Sequence, residues 1–178
     1  MNNDLTDLCY PIGKYQINEN IDELQINTWI NQIEQLPQRL KNEVAGLNDE
    51  QLDTPYRPDG WTLRQVIHHF PDSHMNAYIR FKLTFTEDNP TIRPYYEDRW
   101  ADCDEAKHAP VQASLDLLDS LHKRWVLFLK TMKKEDFEQT FYHPEHNKKF
   151  RLKEILGMYA WHGDHHLAHI TKTRNRNN

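Results

Sequence analysis

A chain of 178 residues with 38% hydrophobic side chains is long enough to bury one core, and its 28% of charged residues must cover outward faces. Five glycines are few for a fold of many tight turns, which argues against an all-β chain. The formal net charge of −5, with no basic stripe, excludes nucleic acid as an expected partner, and no apolar run reaches membrane-spanning length.

Residues 1–20 read as an irregular segment, with a turn at Pro11-Ile12-Gly13. From Ile21 to Val44 apolar residues recur at helical spacing (Ile26, Ile30, Ile33, Leu36, Leu40), which predicts a long amphipathic helix with a kink near Pro37. Asn48 to Leu52 suits a short helical turn. The stretch Pro55 to Thr62 is a loop that delivers a helix start, with Thr62 and Gln65 spaced as a capping box. The second helix is predicted over about Leu63 to Thr86, kinked at Pro71. Residues 87–110 are turn-rich, with a short helix expected around Glu97 to Cys103. A connection of this length suits a crossover. A third helix is predicted over Val111 to Met132. Phe137 to Phe150 reads equally as a loop or half of a small hairpin. The fourth helix runs from about Leu152 to Thr171, and residues 172–178 read as a frayed tail. The expected architecture is all-α: a single-domain four-helix bundle over residues 1–178, with a long crossover between the second and third helices.

The fourth helix carries His162, His165, His166 and His169. Residues four apart share a helix face, so His162 and His166 can grip one cation. At about 100° per residue His166 falls within about 40° of the apolar face and His162 within about 80°. His169 lies a little further out, and His165 points most clearly away. In the second helix the same geometry puts His74 on the inner face and His69 off it, and so nominates His74 as a third ligand. Pro71 makes the phase unreliable. A lone histidine on a helix edge is usually a packing residue, which is the bland reading of His68, His74, His122, His143 and His146. Trp29, Tyr78, Trp125 and Tyr159 read as core. The zincin pattern H-E-x-x-H fails, because Gly163 stands where the glutamate belongs. Nucleotide-binding loops and the serine-hydrolase elbow are absent. Cys9 and Cys103 have no partnered spacing, and Met1 to Asp7 lacks the regions of a signal peptide, so a cytoplasmic setting is expected.

Several segments together carry a family resemblance. They are Tyr10-Pro11-Ile12-Gly13, Leu52-Asp53-Thr54-Pro55-Tyr56-Arg57, Gly60-Trp61-Thr62-Leu63 through His68-His69, Asp72-Ser73-His74 through Lys82, Ile92-Arg93-Pro94-Tyr95, Phe141-Tyr142-His143-Pro144, and Trp161-His162 with His165-His166 and His169-Ile170. With these the chain resembles the DinB superfamily, and within it the YfiT-like metal-dependent hydrolases, over nearly its whole length. The resemblance implies three metal ligands: His69, eight residues after Trp61, and the pair His162 and His166. This displaces His74. The chain departs from the family pattern at Phe70-Pro71.

Three neutral imidazoles leave coordination positions open, the catalytic arrangement. Zn²⁺ or Ni²⁺ suits all-nitrogen ligation. Two reactions follow: hydrolysis by an acidified water, or transfer of a deprotonated thiol to an electrophile. The resemblance implies the same two, the second as bacillithiol S-transfer. Lack of a well-placed glutamate favours the thiol. The expected partner is a small molecule, with Asn76, Arg80 and His143 as candidate substrate-binding residues and Asp72 and Asp164 as candidate hydrogen-bond partners of the ligands. The resemblance also implies a homodimer. The competing readings are a non-catalytic, metal-containing stress-response binding protein and a bundle with no metal.

Overall fold

The structure, a computed structural model, describes residues 3–18 and 20–176. In chain order its elements are α1 (Asn3–Cys9), α2 (Glu23–Val44), α3 (Asp49–Leu52), α4 (Leu63–Thr86), α5 (Glu97–Ala101), α6 (Asp104–His108), α7 (Gln112–Leu129), a 3-10 turn (Lys134–Glu138), β1 (Thr140–His143), β2 (Lys148–Arg151) and α8 (Leu152–Arg176). The long helices α2, α4, α7 and α8 form the predicted bundle. Their ends are set locally. Asp22 accepts from Gln25 N at 2.8 Å to start α2, and Thr62 and Gln65 close the capping box of α4. Pro37 and Pro71 lie within helices that run on past them.

Pairwise contacts give the directions. Along α4 and α7, His68 meets Ser114, His74 meets His122 and Tyr78 meets Arg124, so the two run parallel. Along α2 and α8, Trp29 lies under Gly157, Leu36 under Gly163 and Glu43 beside Arg174, again parallel. Each of α2 and α4 packs against both α7 and α8. The consecutive helices α2 and α4 are therefore diagonal, as are α7 and α8. Parallel neighbours cannot be joined by a tight turn, and residues 87–111 return the chain the length of the bundle.

Two apolar clusters fill the interior. One surrounds Trp125, Phe81, Phe141, Ile33 and Leu156; the other surrounds Leu40, Leu63, Phe70, Leu118 and Ile170. Where they meet, His74 contacts the rings of both Phe70 and Trp125. The histidines thus form a polar layer between two apolar halves.

Two expectations change and one ambiguity is resolved. Residues 1–20 are not wholly irregular: Asn3–Cys9 is helical, and it covers α8 through the 3.1 Å contact of His169 Nε2 with Leu8 O. The tail does not fray at residue 172, because Lys172 donates to Pro11 O, Arg174 to Glu43 O and Arg176 to Tyr56 O, carrying α8 to Arg176. The rest of that expected tail, 177–178, lies outside the described residues, as do residues 1, 2 and 19 of the N-terminal segment. The ambiguous stretch is an antiparallel hairpin, Thr140 opposite Arg151 and His143 opposite Lys148, turning through Asn147 at φ 47°.

Candidate metal centre

Antiparallel packing of α4 on α8 brings His69 against His162 and His166, with one ring nitrogen of each within 4.8 Å of the others. The Nε2 atoms of His69 and His162 are 3.2 Å apart. Metal–nitrogen bonds of roughly 2.0–2.1 Å at tetrahedral angles would separate two ligand nitrogens by roughly 3.3 Å. Bare nitrogens this close repel unless a proton or a cation sits between them, so the donor set fits a cation.

Hydrogen bonds decide which nitrogen each ring presents. His122 Nδ1 is 2.6 Å from Ile33 O. A carbonyl only accepts, so Nδ1 carries the proton and Nε2 is bare. His74 Nδ1 donates to that Nε2 at 2.9 Å, and His162 Nδ1 donates to His74 Nε2 at 3.3 Å. This chain of imidazoles leaves His162 Nε2 as a lone pair facing His69. A second chain serves His166. His169 Nε2 donates to Leu8 O at 3.1 Å, leaving its Nδ1 to accept from His166 Nδ1 at 3.4 Å and the Nε2 of His166 free.

These assignments require neutral rings, and burial keeps them so. It pushes His69 down to about 4, helped by His165. It holds His74, His162 and His166 well below the ordinary histidine value, with neighbouring histidines adding to the effect. His122 and His169 are also pushed down to about 4, burial outweighing their carbonyl contacts. Both chains end on backbone carbonyls, Ile33 O and Leu8 O, rather than on carboxylates.

The rings open onto a cavity of about 620 Å³. Trp61, delivered by the loop ahead of α4, packs 4.8 Å from His69 and lies parallel to His166 at 6.3 Å. Ser73 and Tyr95 form another wall, and Asp59, Glu97 and Asp98 bring carboxylates to it. The sequence offered no sign of these acids, because they lie in loops and the crossover, where no periodicity points inward.

His74 is on the inner face, as its phase required, but stands one ring behind the cation site. His165 is buried and lines the cavity, against the expectation that it points away. The cause is α1 and its following segment, which place Tyr10 over a face that the helix alone would leave in solvent. His68 is a packing residue held by Ser114 Oγ at 2.7 Å and Ala109 O at 3.2 Å. Asp164 binds Arg39 and Gln32 rather than a ligand histidine. Asp72 makes no side-chain bond to these rings; burial, with Glu105 nearby, pushes it up to about 6. Asn76 donates to Asp72 O and lines a neighbouring cavity with Arg93 and Trp100. Arg80 and His143 meet each other in a further cavity, reached past Tyr95 and Glu97.

Residues 32–170, which include this site, match the DinB superfamily. The chain belongs to that superfamily. Two DinB relatives from Bacillus cereus, strains B4264 and G9842, are 54% identical over 174 residues, 98% of this chain and 99% of theirs. One from Bacillus thuringiensis subsp. konkukian is 53% identical over the same length. Their names assign them provisionally to the metal-dependent hydrolases. The solved structure of YfiT from Bacillus subtilis, described as a probable metal-dependent hydrolase with an unusual four-helix bundle topology, matches with a TM-score of 0.94. It is 48% identical, over 96% of this chain and 98% of that one. This DinB chain is mostly helical and shares that four-helix topology, with a histidine cluster able to hold a metal.

Proposed function

We propose that this DinB protein is a metal-dependent hydrolase of small molecules, with Zn²⁺ or Ni²⁺ held by Nε2 of His69, His162 and His166. The observation that carries the reading is the convergence of three neutral imidazole nitrogens at the floor of an open cavity. A cation there supplies Lewis acidity, lowering the pKa of a water or thiol and polarising a carbonyl. The protein residues do the rest. The two imidazole chains hold His162 and His166 in one tautomer and orientation. Trp61 and the buried face of Phe70 shield the rings from bulk water. Asp59, Glu97 and Asp98 can take up the proton released at the cavity wall.

These carboxylates supply the base that was missing beside His162, and so favour hydrolysis. Thiol transfer, with bacillithiol as donor, is the second reading. What supports it is the width of the site: about 620 Å³ admits a thiol and an electrophile together. Purified protein loaded with Zn²⁺ or Ni²⁺ is to be assayed on ester and amide panels, and separately for conjugation of bacillithiol to a model electrophile. Metal-dependent turnover of esters or amides that a chelator abolishes is the expected result. Turnover only with the thiol selects the second reading. Bound metal without turnover of either kind contradicts the enzyme and leaves a binding protein.

A further inference from the structure

Arg80 enters the interior from α4 without a counter-charge. Its Nη1 donates to Tyr159 Oη at 3.3 Å, its Nε is buried and unpartnered, and it makes no ion pair among the described residues. A buried donor without an acceptor is costly, and a guanidinium more so. Beside it, His143 is only 7% exposed, and its Nδ1 is also buried without a partner. An unpartnered guanidinium N–H and an unpartnered imidazole nitrogen, a donor in the Nδ1–H tautomer, thus share one wall. His146 packs on His143 at 4.4 Å between ring centres.

Two cavities meet at this wall. One, of about 310 Å³, reaches Tyr95 and Glu97, which also border the cavity of the three histidines. Glu97 and Glu145 line it and neither pairs with Arg80. The other, of about 230 Å³, is walled mainly by Phe141, Phe150, Ile155 and Met158, with Glu154, paired to Arg151, at its lining. Tyr159 connects the two ends: its hydroxyl accepts from Arg80, and its ring lies 5.8 Å from that of His162.

We propose that Arg80 and His143 form an anion subsite for the carboxylate of an amphipathic small molecule, whose apolar part lies against Phe150, Ile155 and Met158. A guanidinium fork matches a carboxylate in shape and charge, and the apolar wall excludes competing water. That this ligand is the substrate rests on the metal-enzyme reading; its binding does not.

The test uses metal-free protein, so that a carboxylate cannot bind a cation instead. Phenylacetate and its neutral isostere phenylacetamide are titrated by calorimetry and by NMR of the arginine Nε–H resonances. Phenylacetate is expected to bind about ten-fold or more tightly than the amide and to shift the Arg80 signal, and Arg80→Gln to weaken it by about ten-fold. His143→Leu, expected to weaken it several-fold, carries the test if Arg80→Gln does not fold. Equal binding of acid and amide, binding unchanged in the folded variants, or no saturable binding of phenylacetate overturns the subsite. Metal content is measured on the same samples. A wild-type protein that takes up no metal sinks the enzyme reading and leaves the phenylacetate result standing.

Discussion

Neutral imidazoles bind cations and protonated ones do not, so the first requirement of this site is burial deep enough to keep protons off. The second is that each ring face the cation with its lone pair. His74 is the residue that meets this need for His162. His74→Leu leaves the Nδ1–H of His162 buried with no acceptor, and metal affinity is expected to fall by about ten- to a hundred-fold in competition with a chelator. His74→Gln, which offers a carbonyl oxygen, is expected to recover part of the loss. A filler role would give the opposite order, because Leu packs better than Gln. His122 has a separate cost. Its value is pushed from an ordinary 6.5 to about 4, so the unfolded chain binds the proton more readily between those limits. Its contribution to stability is complete above pH 6.5 and is lost as the pH falls towards 4, on the order of 3 kcal/mol. Denaturant melts of metal-free protein at pH 7.5 and 5 are expected to show about 2 kcal/mol of that loss, reduced in His122→Leu. Periodicity placed His162, His166 and His74 on inner faces, and geometry agrees. It had no means of telling a ring that reaches the cavity from one that stands a layer behind it, because depth depends on which helix lies opposite. It also missed His69, which faces α8 although its phase about α4 put it off the apolar stripe.

At the level of elements, α8 shows why the zincin glutamate is missing. A Cβ on Gly163 would stand 2.5 Å from Leu36 Cδ2, so any side chain there must displace that buried leucine. Gly163→Ala is expected to destabilise the fold by about 1–3 kcal/mol through overpacking, seen as a lowered melting temperature. If Leu36 is responsible, Leu36→Val in the same chain restores part of it. The long helices were legible because each buries one stripe, and α4 also starts at a recognisable cap, Thr62. α1 and the last turn of α8 were not, since neither has a stripe of its own. They exist through contacts between the chain's two ends, such as Lys172 with Pro11 O. The hairpin was ambiguous for a related reason: four residues per strand carry too little alternation to be told from a loop.

Across the whole molecule, the crossover shapes the candidate site as well as the topology. It returns the chain so that α4 and α7 run parallel, and on the way it carries Tyr95, Glu97 and Asp98 to the mouth of the histidine cavity. Its length announced a crossover; what it carries to the site was invisible, because loop residues reveal their direction only once the bundle is assembled. No helix among the described residues is long and apolar enough to cross a membrane. Because the candidate ligands lie on α4 and α8, a cation bound there would tie two helices together and is expected to raise the melting temperature, with the gain growing with free metal and vanishing with chelator. The most direct measurement is the metal content of wild-type protein and of single alanine variants after stripping and reloading with Zn²⁺ or Ni²⁺. About one equivalent per chain is expected in the wild type and in His68→Ala, whose ring is held by Ser114 and Ala109, with loss in His69→Ala, His162→Ala and His166→Ala. Full occupancy in any of those three folded variants, or no metal in the wild type, contradicts the three-histidine centre.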